Sequence, residues 1–186
     1  MNFIGEYQLQ DTTVCDKLIE YFESSDRQFP GRVGGGLHPD IKDSTDVSIW
    51  PNEIEMEGNE ACLNFMLALD KVLDLYVEEY PECDKYGSWS MQEALMIQKY
   101  LPGQGYKNWH TERVNSATDV ARRHLVFMVY LNDVPDGGTE FKLQNLTVEA
   151  KKGKVLFWPV DWTHTHRGQV SHTNIKYIAT GWFSFN

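Results

Sequence analysis

Three side chains in this sequence have the types and spacing to hold one metal ion. In GYKNWHTER, His110 and Glu112 are separated by a single residue. On an extended segment side chains alternate faces, so positions i and i+2 point the same way and can grip one cation. A second strand must then bring the third ligand. The segment DWTHTHRG, Asp161 to Gly168, offers two candidates, His164 and His166, in a chain with six histidines altogether. Two imidazoles and one carboxylate form the facial set that binds ferrous iron and leaves coordination positions open for a cosubstrate and dioxygen. An H-x-E pair alone arises often by chance, so its weight depends on the rest of the chain.

The elements that must position these residues are legible in outline. Residues Asn2 to Gln8 alternate as a short first strand. Asp11 or Thr12 can cap a helix running through Glu23, with Val14, Leu18, Ile19 and Phe22 on one face. Ser24 to Ser48 is rich in Gly, Pro, Asp and Ser and predicts one long loop. Its GRVGGG run lacks the strand, the following helix and the GK[ST] ending of a phosphate cradle, so it predicts a mobile segment and a candidate lid. Asn59 to Tyr80 is the clearest helix: Cys62, Phe65, Met66, Leu69, Val72, Leu73, Tyr76 and Val77 recur at spacings of three and four, and Pro81 stops it.

After Pro81 the pattern changes to strands at Met91 to Tyr100, His124 to Asn132, Thr139 to Lys142, Leu146 to Ala150, Lys154 to Trp158 and Asn174 to Phe185. LPGQG, VPDGG and KKG punctuate them, and Gly137 and Gly138 predict a hairpin turn. Helices followed by a run of strands predict an α+β fold with an antiparallel sandwich or barrel. A chain of 186 residues suits a single domain, with residues 1–90 as helical support and long loop and residues 91–186 as the core.

Composition bounds the function. Against 27 acidic residues stand 17 basic ones, a net charge of −10, which disfavours generic binding to a phosphate backbone. Arg113, Arg122 and Arg123 read as ordinary surface arginines, although Arg113 and Arg167 flank two candidate ligands and could touch a substrate. His38, His124 and His172 lack metal-binding partners at strand spacing and read as loop or surface residues. Cys15, Cys62 and Cys83 are odd in number and never in a C-x-x-C spacing, which argues against disulfides and zinc ribbons. MNFIGEYQLQ has no basic n-region before an apolar core, and LVFMVYL is far short of a membrane span. A soluble, cytoplasmic protein with no membrane partner is expected; the oligomeric state is left open.

Four stretches, YLPGQGYKNWHTE (Tyr100 to Glu112), YLND with DGGTEF (Tyr130 to Phe141), GKVLFWP (Gly153 to Pro159) and THTHRG…KYIATGW (Thr163 to Trp182), together resemble the catalytic half of the 2-oxoglutarate and iron(II)-dependent dioxygenases, prolyl 4-hydroxylase-like branch. The resemblance implies a jelly-roll, or double-stranded β-helix, core with N-terminal supporting helices. It implies Fe(II) and 2-oxoglutarate as cofactors, leaves room for ascorbate as an accessory reductant, and suggests a prolyl residue in a peptide or protein as substrate.

Carried over position by position, His110 resembles the first iron ligand and Glu112 stands where that family most often has aspartate. The family's last ligand precedes a cosubstrate-binding Lys or Arg by about ten residues, which favours His166 over His164, since His166 is ten before Lys176. Lys176 resembles the residue that pairs with the distal carboxylate of 2-oxoglutarate. Thr180 resembles a hydroxyl donor to the same carboxylate, Trp182 an aromatic lining the metal site, and Tyr100 a tyrosine that hydrogen-bonds the cosubstrate. Two rival readings predict otherwise: a cupin-type metal enzyme that does not use 2-oxoglutarate, and a catalytically inactive jelly-roll binding module.

Overall fold

The computed structural model describes residues 1–186. The chain opens with β1 (Gly5–Gln8) and α1 (Thr13–Ser24), followed by the short strands β2 (Phe29–Pro30), β3 (Lys42–Asp43) and β4 (Thr45–Ile49) and the long helix α2 (Glu60–Glu79). Then come β5 (Trp89–Met91), β6 (Leu95–Tyr100), β7 (Gly105–Tyr106) and the single-turn helix α3 (Thr118–Arg122). The rest is β8 (Arg123–Tyr130), β9 (Val134–Phe141), β10 (Leu146–Ala150), β11 (Lys154–Pro159), β12 (His166–Gly168) and β13 (Lys176–Phe185).

All strand pairs are antiparallel. The large sheet runs β1-β11-β8-β13-β6-β4-β2, with β5 also on β13; a second sheet runs β10-β9-β12, and β3 pairs with β7. This is the α+β, double-stranded β-helix architecture. The large sheet takes strands from both halves of the sequence, because β1 closes one edge against β11 and β4 extends the other through β6.

Period-two alternation gives the large sheet its two faces. On β8, Leu125, Phe127 and Val129 join Phe157 of β11 and Ala179 of β13 in a cluster under Leu18 and Phe22 of α1 and Phe65, Leu69 and Tyr76 of α2. The intervening residues Val126, Met128 and Tyr130, with Leu156, Trp158 and Ile178, turn the other way and meet Val134, Phe141 and Val148 of the small sheet. Both faces of β8 are therefore buried, which is why LVFMVYL reads as a continuous apolar run. The helices pack outside, and the space between the sheets is left for the site.

Two expectations are corrected. Ser24 to Ser48 is not one loop, since β2, β3 and β4 lie within it and Val47 and Ile49 are wholly buried. Gly137 and Gly138 do not form a turn; they sit inside β9, where a Cβ on Gly138 would run into the Val148 carbonyl oxygen of β10 and one on Gly137 into Val134. The glycines let neighbouring backbone and side chains approach closely.

Candidate metal centre

His110 and His166 are brought together by backbone pairing. The His110 N–H donates to the His166 carbonyl and the His166 N–H to the His110 carbonyl, each at 2.9 Å. Directly opposed residues of an antiparallel pair project to one face, and the two ring centroids stand 4.2 Å apart. Two residues beyond His110, the Glu112 N–H donates to Val160 and its side chain returns to the same face. Glu112 Oε1 lies 3.5 Å from His110 Nε2 and 3.2 Å from His166 Nε2. One donor atom from each of the three residues falls within 4.8 Å of the others.

The far nitrogens settle the tautomers. His110 Nδ1 donates to the Asn108 carbonyl at 3.0 Å and His166 Nδ1 to the His164 carbonyl at 2.9 Å. A neutral imidazole whose Nδ1 carries the proton presents a lone pair at Nε2. Burial, reinforced by the neighbouring His110, pushes His166 below the ordinary histidine range. Burial opposes charge on Glu112, but hydrogen bonds and charge from the two imidazoles, through Nε2 protons that a metal ion would displace, hold the carboxyl well below the usual range. A deprotonated carboxylate and lone-pair-bearing imidazoles converging on one point are what a divalent cation requires, so the residues fit the metal.

Aromatic rings immobilise both imidazoles. Tyr106 stacks on His110 with centroids 3.6 Å apart and planes 2° from parallel, and Trp158 meets His166 edge-on at 4.9 Å. His164 goes elsewhere. It closes a short 3-10 turn, Trp162–His164, and its Nε2 lies 2.8 Å from the Asn2 carbonyl. The structure therefore brings His166, not His164, to His110 and Glu112.

The three residues open onto a cavity of about 610 Å³, also lined by Tyr100, Lys176, Thr180 and Trp182. Lys176 is opposite Tyr100 in the β13–β6 register. Its ammonium donates to the Gly137 and Gln169 carbonyls at 3.0 and 2.9 Å and lies 5.2 Å from the centre of the Tyr100 ring. None of these partners carries a negative charge, and burial lowers the lysine from 10.5 to about 8. A buried ammonium with neutral partners is a receptor for an anion.

The Tyr100 hydroxyl donates to Gln98 Oε1 at 2.7 Å, and the Thr180 hydroxyl to the Phe127 carbonyl at 2.8 Å. Trp182 Nε1 donates to Glu112 Oε2 at 3.0 Å. Lys176, Ile178, Thr180 and Trp182 all line the cavity, as alternation along β13 requires.

Several neighbours depart from what the sequence implies. Arg123 is not a surface arginine: it donates to the Glu112 carbonyl, pairs with Glu93 and lies over the Trp182 ring. Lys42 also lines the cavity and forms a buried ion pair with Asp46. Arg113 pairs with Asp161 and Arg167 with Glu140. His124 is half-buried against Trp89 and Phe185, and Arg32 to Gly35 of the GRVGGG run line the cavity.

A family model described as the 2OG-Fe(II) oxygenase superfamily matches residues 95–184. No curated protein matches the chain in sequence. Among solved structures, the chain is similar to a viral collagen prolyl hydroxylase from Paramecium Bursaria Chlorella virus-1, with TM-score 0.71 and 19% identity over 99% of this chain and 97% of that one. It is similar to a prolyl hydroxylase from Trichoplax adhaerens, solved with a hypoxia inducible factor peptide fragment, with TM-score 0.76 and 15% identity over 100% and 84% of the two chains. A Pseudomonas putida prolyl-4-hydroxylase has TM-score 0.72 and 18% identity over 100% and 94%. At these identities the likeness is one of fold.

Proposed function

From the match of residues 95–184 to the 2OG-Fe(II) oxygenase superfamily, we propose that this chain is such an oxygenase and hydroxylates a prolyl residue of a peptide or protein, with His110, Glu112 and His166 as the iron ligands. Fe(II) and 2-oxoglutarate are the cofactors implied by the superfamily and by the donor set. Bound together, they supply oxidative decarboxylation of the keto acid to succinate and carbon dioxide, coupled to hydroxylation of the substrate.

The chain's own residues bind, orient and exclude water. Lys176 holds the distal carboxylate of 2-oxoglutarate through a charge-assisted bond, and Tyr100 and Thr180 present hydroxyls beside it. Tyr106, Trp158 and Phe141 fix the imidazoles and keep that end of the cavity dry. Catalysis here asks no side chain to act as a nucleophile.

The observation that carries this reading is the convergence of three metal donors in the same cavity as a buried lysine whose hydrogen-bond partners are all uncharged. A prolyl peptide as substrate is supported by the names of the similar structures, one of which was solved with a peptide fragment. The test is anaerobic addition of Fe(II) and 2-oxoglutarate, followed by aerobic turnover with proline-containing peptides. A visible charge-transfer band and peptide mass increase by one oxygen are expected. A band without any peptide hydroxylation would remove the prolyl assignment and keep the oxygenase; no band would remove both.

A further inference from the structure

We infer that Trp182 is a positioning residue that makes Glu112 present a single oxygen to the metal, and that Arg123 and Glu93 hold Trp182 in place for that purpose. The inference rests on the metal site proposed above. The two carboxylate oxygens of Glu112 have different surroundings. Oε1 faces both imidazole Nε2 atoms, at 3.5 and 3.2 Å, while Oε2 accepts the indole N–H of Trp182 at 3.0 Å. An ionised carboxylate offers two equivalent acceptors. Unless one is occupied, both are free to turn toward a cation.

A glutamate needs such fixing, because its extra methylene adds a rotatable bond that must be frozen before a donor atom is placed. The indole supplies it from a different element, β13, and is not free to swing away. The Arg123 guanidinium lies over the Trp182 ring, 3.8 Å from its centre. The same guanidinium donates to the Glu112 main-chain carbonyl at 2.8 Å and stands 3.8 Å from Oε2. Two bonds to the Glu93 carboxylate hold Arg123 from behind. Backbone and side chain of Glu112 are thus fixed by one chain of contacts, Glu93 to Arg123 to Trp182, and outer partners of this kind orient metal ligands.

The test is anaerobic Co(II) titration of the metal-free, full-length protein, reading affinity and the visible ligand-field spectrum for the unaltered chain, Trp182→Phe, Glu112→Asp and the double variant. Phenylalanine keeps the ring and removes the N–H. It is expected to weaken Co(II) binding about tenfold and to change the spectrum as Oε2 is released to the metal. Aspartate withdraws the carboxylate from the indole by one methylene. The double variant should therefore bind Co(II) as Glu112→Asp does, the loss of the indole N–H adding nothing further.

Unchanged affinity and spectrum in Trp182→Phe, or losses that multiply in the double variant, would overturn the inference. If Trp182→Phe does not fold, Arg123→Lys carries the same test. Lysine keeps a charge but has neither the flat face over the indole nor the fork to Glu93. A tenfold loss there supports the inference and no loss overturns it. Absence of Co(II) binding by the unaltered protein would instead remove the metal site, and this inference with it.

Discussion

His164 and His166 differ by two positions and by everything that matters to a ligand. Strand alternation would aim both side chains the same way, but alternation stops at the 3-10 turn that ends on His164. His166 is the first residue of β12 and inherits the face set by its pairing with His110. His166→Ala should abolish Co(II) or Fe(II) binding. His164→Ala should leave it intact and cost about 1 kcal/mol of stability through the lost bond to the Asn2 carbonyl; calorimetric titration and thermal melts separate the two outcomes. Lys176 adds a pH dependence. Burial lowers it to about 8, so the ammonium is present below that pH and is lost as pH rises through it. Affinity for 2-oxoglutarate should therefore hold from pH 6 to 7.5 and fall above about 8, approaching a tenfold loss per pH unit. A flat binding profile between pH 7 and 9.5 would show that the carboxylate is held by something else. The candidate ligands are legible because ligand types and their spacing survive in a linear string; the contacts around them are not, since Arg123 meets Glu112 and Glu93 only through the fold.

At the scale of elements, the boundary between what could and could not be read follows local pattern. α2 was expected over Asn59 to Tyr80 and spans Glu60–Glu79, because a stripe at spacings of three and four between an open loop and Pro81 has one interpretation. Leu146–Ala150 has the expected limits. β4 is not legible because its five residues follow a Gly- and Pro-rich stretch and are fixed as strand by pairing with β6 on one side and the two-residue β2 on the other. The placement of Arg123 depends on a register shift between β13 and β8: Phe183 pairs with Leu125 but Ser184 with Arg123, leaving His124 unmatched. A bulge re-aims the side chains beside it, and the same segment carries Arg123 to the Glu112 carbonyl. No periodicity in the sequence announces that extra residue. The glycines of β9 make a testable case of close approach. Gly138→Ala places a methyl group against the Val148 carbonyl, and overpacking of this kind costs about 1–3 kcal/mol. The melting temperature should drop by roughly 2–12 °C, with amide exchange in β9 and β10 accelerated ahead of β8 and β13. Uniform acceleration across both sheets would mean that the small sheet is not an independent weak point.

The whole molecule separates the apolar mass that holds it together from the cavity that does chemistry, with the large sheet between them. One cluster of 23 buried residues joins α1 and α2 to the outer face of that sheet; another of 13 fills the space between the sheets beside the cavity. Leu69 lies wholly within the first cluster, on the far side of the sheet from Lys176 and the three metal donors. Leu69→Ala should cost about 2–5 kcal/mol, the transfer loss of the side chain plus the cavity left behind. For a chain of this length that lowers the melting temperature by roughly 2–4 °C per kcal/mol. Yet β8 is held by two neighbouring strands and β13 by three, as well as by the helices, so a void under α2 has no direct route to the inner face. The dissociation constant for 2-oxoglutarate measured well below the melting temperature should change less than twofold. Saturating metal and cosubstrate should add the same unfolding free energy at 25 °C to the variant and the unaltered protein, since binding to the folded state stabilises by mass action irrespective of where stability was lost. A loss of cosubstrate affinity in step with the loss of stability would mean that the helices shape the cavity through the sheet, and that the two sides of the molecule are mechanically one.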